Sequence, residues 1–179
     1  MADTKTTALT QLTTAADDDI LHIIDDPGGS PISKHIEVTD LLRTAHGHLS
    51  VTGGAGTQTP TAATWTKVTQ FDTAVSGLNV TADHSNDRIL LDNVGQYLAT
   101  WMCTFTGAAD EYRLAVYWNS AISLVPAITT VPGTDEEVVM VTVPVTCTIA
   151  STYVEPYVYT VGGNAFAIKE SVLSVVRVG

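Results

Sequence analysis

The sequence predicts an all-β protein: an antiparallel sandwich of jelly-roll type with about eight strands, preceded by an extended N-terminal arm with a short hairpin and a helical turn. Three observations carry this. Val and Thr make up about a quarter of the 179 residues, and β-branched side chains favour pleated, half-buried surfaces over helices. Apolar residues alternate with polar ones at period 2 from residue 65 onward, and no segment of helical period competes. The breaks between the alternating runs fall at the spacing of a sandwich.

The arm, residues 1–45, comes first and carries eight acidic and three basic side chains. Ile20-Leu21-His22-Ile23-Ile24 lies between Asp17-Asp18-Asp19 and Asp25-Asp26-Pro27-Gly28-Gly29, a strand closed by a turn. The alternating His35-Ile36-Glu37-Val38 is its partner. Thr39 or Asp40 then caps a helical turn over Leu41-Leu42-Arg43, because a side-chain oxygen there satisfies an orphan N–H. Two short strands are marginal alone in water. The arm therefore reads as a docking element that folds against another surface through Ile20, Leu21, Ile23, Ile24, Ile36, Val38, Leu41 and Leu42. Residues 46–64, with Gly53-Gly54-Ala55-Gly56 at their centre, read as a flexible linker.

The head, residues 65–179, is read strand by strand. Trp65 to Phe71 and Arg88 to Leu91 open it. Tyr97, Ala99, Trp101, Cys103 and Phe105 share one face, as do Tyr112, Leu114, Val116 and Trp118 in the next run. Val139, Val141, Val143, Val145 and Cys147 point inward from a strand that Pro144, lacking an N–H, assigns to an edge or a bulge. Tyr153, Glu155, Tyr157 and Tyr159 alternate with Val154, Pro156 and Val158, and Phe166, Ile168, Val172, Val176 and Val178 close the chain. The aromatic residues Tyr97, Trp101, Phe105, Tyr112, Trp118, Tyr157 and Tyr159 are expected in the core or between subunits.

Composition excludes several classes. The formal charge is −11, with eight basic against nineteen acidic residues, so a nucleic-acid partner is disfavoured. No apolar stretch is long enough for membrane insertion, and no signal peptide is expected. Cys103 and Cys147 sit in apolar runs and read as buried thiols, with a bridge between them left open. No metal site or cofactor is expected. The cluster Asp17, Asp18, Asp19, Asp25 and Asp26 lacks the alternation of a calcium loop, and His46-Gly47-His48 has no further ligands near it, so these histidines read as loop residues. No nucleophile elbow, phosphate loop or zinc-protease motif occurs, so no enzyme activity is expected. Asp135-Glu136-Glu137 reads as a charged turn.

Two resemblances add to this reading. Arg88-Ile89-Leu90-Leu91-Asp92-Asn93-Val94-Gly95-Gln96-Tyr97, then Phe105-Thr106-Gly107 and Tyr112-Arg113-Leu114-Ala115-Val116-Tyr117-Trp118-Asn119, resemble the middle of the tumour-necrosis-factor-like jelly roll, the class that includes complement globular heads. In that family a Gly-x-Tyr opens a central strand and a Val-x-x-Asn ends the next. Leu173-Ser174-Val175-Val176-Arg177-Val178 is similar to its last strand. The arm, through Thr7-Ala8-Leu9-Thr10-Gln11-Leu12-Thr13, Ala16 to Asp25 and Ile36 to Leu42, resembles the N-terminal segment of tailed-bacteriophage virion proteins.

Together they imply a homotrimer at the virion surface, made in the host cytoplasm. The expected role is capsid decoration, the arm anchored to the major capsid protein, since no shaft separates arm from head. The alternative is a tail-fibre tip, held by a tail or adaptor protein, whose loops at Ala108-Ala109-Asp110-Glu111 or Val161-Gly162-Gly163-Asn164 recognise a host glycan.

Overall fold

A computed structural model describes residues 20–25, 32–37, 44–54, 56–119, 121–122, 127–131 and 135–178, with 20–25, 32–37, 121–122 and 131 described by their backbone alone. The chain forms two compact units, residues 1–43 and 44–179.

In the first unit, β1 (Ile20–Asp25) pairs antiparallel with β2 (Ile32–Glu37). The register sets Leu21 opposite Ile36 and Ile23 opposite Lys34, so the hairpin read from the two apolar runs is present. Val38, Leu41 and Leu42, with the helical turn assigned to them, lie outside the described residues, as do Asp17, Asp18, Asp19 and Asp26.

The second unit holds β3 (His46–Val51), β4 (Thr57–Gln58), β5 (Thr66–Lys67), β6 (Thr73–Val75), β7 (Val80–Asp83), β8 (Arg88–Leu91), β9 (Gly95–Gly107) and β10 (Asp110–Trp118). After them come β11 (Ala121–Ile122), β12 (Ala127–Val131), β13 (Glu136–Cys147), β14 (Thr152–Thr160) and β15 (Phe166–Arg177). Sheet I has the order β13-β9-β15-β3-β6, with β4 beside β15. Sheet II has the order β11-β10-β14-β8-β7, with β12 beside β10 and β5 beside β14. The pairings recorded for both sheets are antiparallel, and the two sheets enclose one core. The architecture is the expected all-β jelly-roll sandwich.

The alternation of the sequence is converted directly into this core. Tyr97, Ala99, Trp101, Cys103 and Phe105 of β9 are buried, and Tyr112, Leu114 and Val116 face them from β10. Phe105, Tyr112 and Phe166 cluster with ring centroids 5.1–6.4 Å apart, in tilted and edge-on geometries that suit aromatic quadrupoles. One buried polar knot crosses sheet I: Trp101 Nε1–H donates to Ser171 Oγ at 2.8 Å, and the Ser171 hydroxyl donates to the Met102 carbonyl at 3.1 Å. Cys103 and Cys147 are both free and buried. Burial pushes the Cys103 thiol up to about 12. Pro144 lies on β13, which ends the order of sheet I, where a missing N–H breaks no ladder. Pro156 is inside sheet II, but it falls between the stretches of β14 that pair with β5 and with β8.

The domain boundary differs from the expected one. His46–Val51, read as the start of a linker, is instead a strand within sheet I, paired with β15 on one side and β6 on the other. Its inward residues are Gly47, Leu49 and Val51, all buried. A Cβ on Gly47 would stand 2.7 Å from Val80 Cγ1, so close packing of β7 requires glycine at a core position and interrupts the apolar pattern. His46 and His48 are therefore strand residues. Of the run Trp65 to Phe71, only Thr66–Lys67 is a strand. Asp135 precedes β13, whereas Glu136 and Glu137 begin it.

Candidate interaction surfaces

A two-sheet sandwich turns its alternate residues outward, and the two outer faces here differ in chemistry. On sheet I the pairing aligns outward residues in rows. Met102 stands opposite Met140 in β13 and Val172 in β15. The next rows join Thr100 to Thr142 and Ser174, then Leu98 to Pro144 and Val176. His46, His48 and Ser50 continue these rows on β3, and Val75 and Thr73 on β6. Hydroxyl groups bond within the face: Thr100 Oγ1 lies 3.2 Å from Thr142 Oγ1, and Thr146 donates to Gln96 Oε1 at 3.0 Å. Across these rows no Asp, Glu, Lys or Arg occurs. Charges begin at one end only, with Glu170 opposite Thr104 and Glu136 opposite Thr106. Leu98, Met102, Val138 and Met140 are exposed large apolar side chains, the composition of a surface that expects a partner.

The outer face of sheet II carries rings and paired charges. Trp65, from the connection before β5, is 6.1 Å from Tyr117 and 5.5 Å from Tyr159 between centroids. Tyr117 and Tyr157, from adjacent strands, stack at 3.9 Å with an interplanar angle of 21°. The Arg113 guanidinium lies 5.0 Å above the Tyr159 ring and pairs with Glu111 at 2.6 Å. Lys67 bonds Glu155 and also donates to the Asn86 carbonyl at 2.6 Å. Burial raises the phenol pKa of both Tyr117 and Tyr157, with the Glu155 charge adding to the shift at Tyr157. Loops close one end of this face. Gly162 N–H donates to both carboxylate oxygens of Asp110, at 3.2 and 3.0 Å, and Asn164 Nδ2 donates to the Ala109 carbonyl at 3.3 Å. Both loop segments named from sequence thus meet at one place, although Asp110 and Glu111 belong to β10.

The aromatic residues singled out from sequence separate by location. Tyr97, Trp101, Phe105 and Tyr112 are interior, and Trp118 packs partly against the core. Tyr157 and Tyr159 are not core: the buried residues of β14 are Thr152, Val154, Pro156, Val158 and Thr160, with Glu155 the exception on the outer side. Sequence reasoning missed Trp65, Tyr117 and Arg113. Tyr117 and Arg113 alternate with the core face of β10, so the signal was present once β14 was known as its neighbour. Ile20, Leu21, Ile23, Ile24 and Ile36 lie on the arm hairpin. Among the described residues no group of three or more His, Cys, Asp or Glu could hold a metal ion, and no helix is long and apolar enough to cross a membrane.

No family model matches the sequence. No curated protein matches it either. Solved structures do match. The Eiger TNF of S. frugiperda aligns with a TM-score of 0.55 at 11% identity, over 76% of this chain and 93% of that one. The globular domain of a zebrafish complement 1qA protein gives 0.56 at 10% identity, over 75% and 98%. Murine APRIL gives 0.50 at 13% identity, over 76% and 100%. The head is therefore a jelly roll similar to those of tumour-necrosis factors and complement heads, as its strand motifs suggested.

Proposed function

We propose that the protein is a non-enzymatic structural component of a tailed-phage virion, a homotrimeric capsid decoration protein whose arm anchors it to the major capsid protein while the jelly-roll head projects from the virion surface. The outer face of sheet I, whose Leu98, Thr100 and Met102 rows hold no Asp, Glu, Lys or Arg, carries the trimeric part of this reading. In a chain of net charge −11, these rows, with the carboxylates Glu170 and Glu136 confined to one end of the face, are suited to contact with copies of the chain, where like charges would repel. The resemblance of the arm to virion-attachment segments supports the phage part, and short strands are suited to completion by pairing with a partner's sheet edge.

Light scattering on the purified chain tests the assembly, with three times the protomer mass as the expected result. Copy number per particle, from stained gels of virions, tests the location: hundreds of copies support decoration, whereas tens or fewer overturn it in favour of a tail. Release of reducing ends from a surface polysaccharide would overturn the non-enzymatic reading.

A second reading, a tail-fibre tip that recognises a host glycan, is favoured by the ring cluster on the outer face of sheet II.

A further inference from the structure

We infer that the outer face of sheet II is a carbohydrate platform on which Trp65, Tyr117, Tyr157 and Tyr159 stack the C–H faces of neutral pyranose rings. The inference rests on the glycan-recognition reading for its biological setting, and on the head alone for its chemistry.

The four rings form one continuous surface, because Trp65 bridges Tyr159 and Tyr117, and Tyr117 stacks on Tyr157. Each is partly exposed, while the aromatic demand of the core is met elsewhere by Trp101, Phe105, Tyr112 and Phe166. The rings cover the sheet closely enough that Ala115, opposite Tyr157 and outward-facing, is fully buried. A pyranose presents polarised C–H bonds on one face, and these meet the negative face of an aromatic ring. Its hydroxyls then need donors and acceptors at the edges. Arg113 and Glu111, whose side chains are 39% and 35% exposed, and the Tyr157 hydroxyl, 3.5 Å from Glu155 Oε2, supply both.

Charge selects the class of ligand. Both cations of the platform are already paired, Lys67 with Glu155 and Arg113 with Glu111, so the patch is neutral within an acidic chain. An anionic sugar or a phosphate backbone finds no free cation there. A second copy of the chain is better served by the aliphatic face of sheet I. The Glu155 carboxylate is the telling group: it is 8% exposed and held in an ion pair whose desolvation cost a hydrophobic pair would avoid, so stability alone does not account for it.

The full-length chain would be titrated with maltohexaose, cellohexaose, N-acetylchitohexaose and an oligogalacturonate by calorimetry, with saturation-transfer NMR from the ring protons. Binding of at least one neutral hexasaccharide is expected. Trp65→Ala should weaken it by about tenfold or more, and Tyr159→Ala should weaken it measurably even where the first variant folds poorly. Binding unchanged in the Tyr159 variant and in a folded Trp65 variant overturns the platform but leaves glycan recognition standing. Absence of any neutral binding overturns both, and preference for the oligogalacturonate overturns the charge argument and with it the platform.

Discussion

Met102→Glu is the sharpest perturbation of the proposed trimer contact. Met102 occupies the middle strand of the β13-β9-β15 rows, opposite Met140 and Val172. In the single sandwich Leu98, Met102, Val138 and Met140 remain 37%, 42%, 65% and 63% exposed. Those exposed remainders amount to about two whole side chains, and removing them from water contributes roughly 3–6 kcal/mol per protomer at about 1.5–3 kcal/mol per buried side chain. A carboxylate enclosed in that contact without a partner costs about 3–5 kcal/mol, which offsets most of the gain. Since about 1.4 kcal/mol is tenfold, the dissociation constant should rise by at least about a hundredfold. Position 102 faces outward, so the protomer itself should fold normally. Sedimentation velocity at low micromolar concentration should find a trimer for the wild-type chain and a monomer for Met102→Glu, with matching far-ultraviolet spectra. Met102→Gln, polar but uncharged, should lie between them. A trimer that persists in Met102→Glu would refute the assignment of this face, and a monomeric wild-type chain would refute the trimer itself.

Other predictions concern the core that holds the two faces apart. Ser171→Ala removes the acceptor of the buried Trp101 N–H, and should cost about 1–3 kcal/mol in urea unfolding, with no change in oligomer mass. Thr160 is fully buried and its hydroxyl has no hydrogen-bond partner among the described residues; Thr160→Val keeps the shape, and should raise stability by about 1 kcal/mol. Asp87 accepts the Phe71 N–H at 3.0 Å while burial raises its carboxyl pKa. Burial thus favours the protonated acid in the folded state, and the stability this gives is fully present below the unfolded carboxylate pKa and is lost as pH rises through the higher folded value. Asp87→Asn keeps an acceptor and suits the left-handed φ of 46°, so it should gain stability relative to wild type at neutral pH and converge with it in acid, as thermal melts across that range would record.

What could be read from sequence follows from which signals are local. Alternation is local, so β9 and β13 were placed from Tyr97 and Val139 onward, and Pro144 marked an edge that the sheet order confirms. β15 was located from Phe166, but the bulge after Ile168 changes its phase, so Leu173 and Val175 enter the core and Val172 and Val176, grouped with Phe166 and Ile168 from sequence, face outward. The hairpin of the arm was visible for the same reason. β3 was hidden because Gly47 stands where an apolar residue would complete the pattern, and its reason for being glycine is Val80, 33 residues away. The ring platform was hidden by a second non-local fact. Tyr157 and Tyr159 appear as a stripe in β14, but only the pairing of β14 with β10 and β5 brings them to Ala115, Arg113 and Lys67. Which side of an alternating strand faces the core is decided by its neighbours, and β14 has aromatic residues on one side and aliphatic ones on the other.

The two proposals, a trimer through sheet I and a sugar platform on sheet II, have a joint consequence. The proposed trimer, closed through sheet I, would carry three copies of the proposed sheet II platform on a single particle. Stacking a sugar on a few exposed rings is a weak interaction by itself. Three platforms engaging repeated units of a polysaccharide raise avidity by about 10²–10⁴ over one site when the spacing permits simultaneous contact. Met102→Glu therefore has a second consequence: a monomeric head should retain its affinity for a single hexasaccharide and lose most of its retention on a polysaccharide surface. Equal retention of monomer and trimer on such a surface, measured by biosensor, would separate the two faces functionally and refute their coupling.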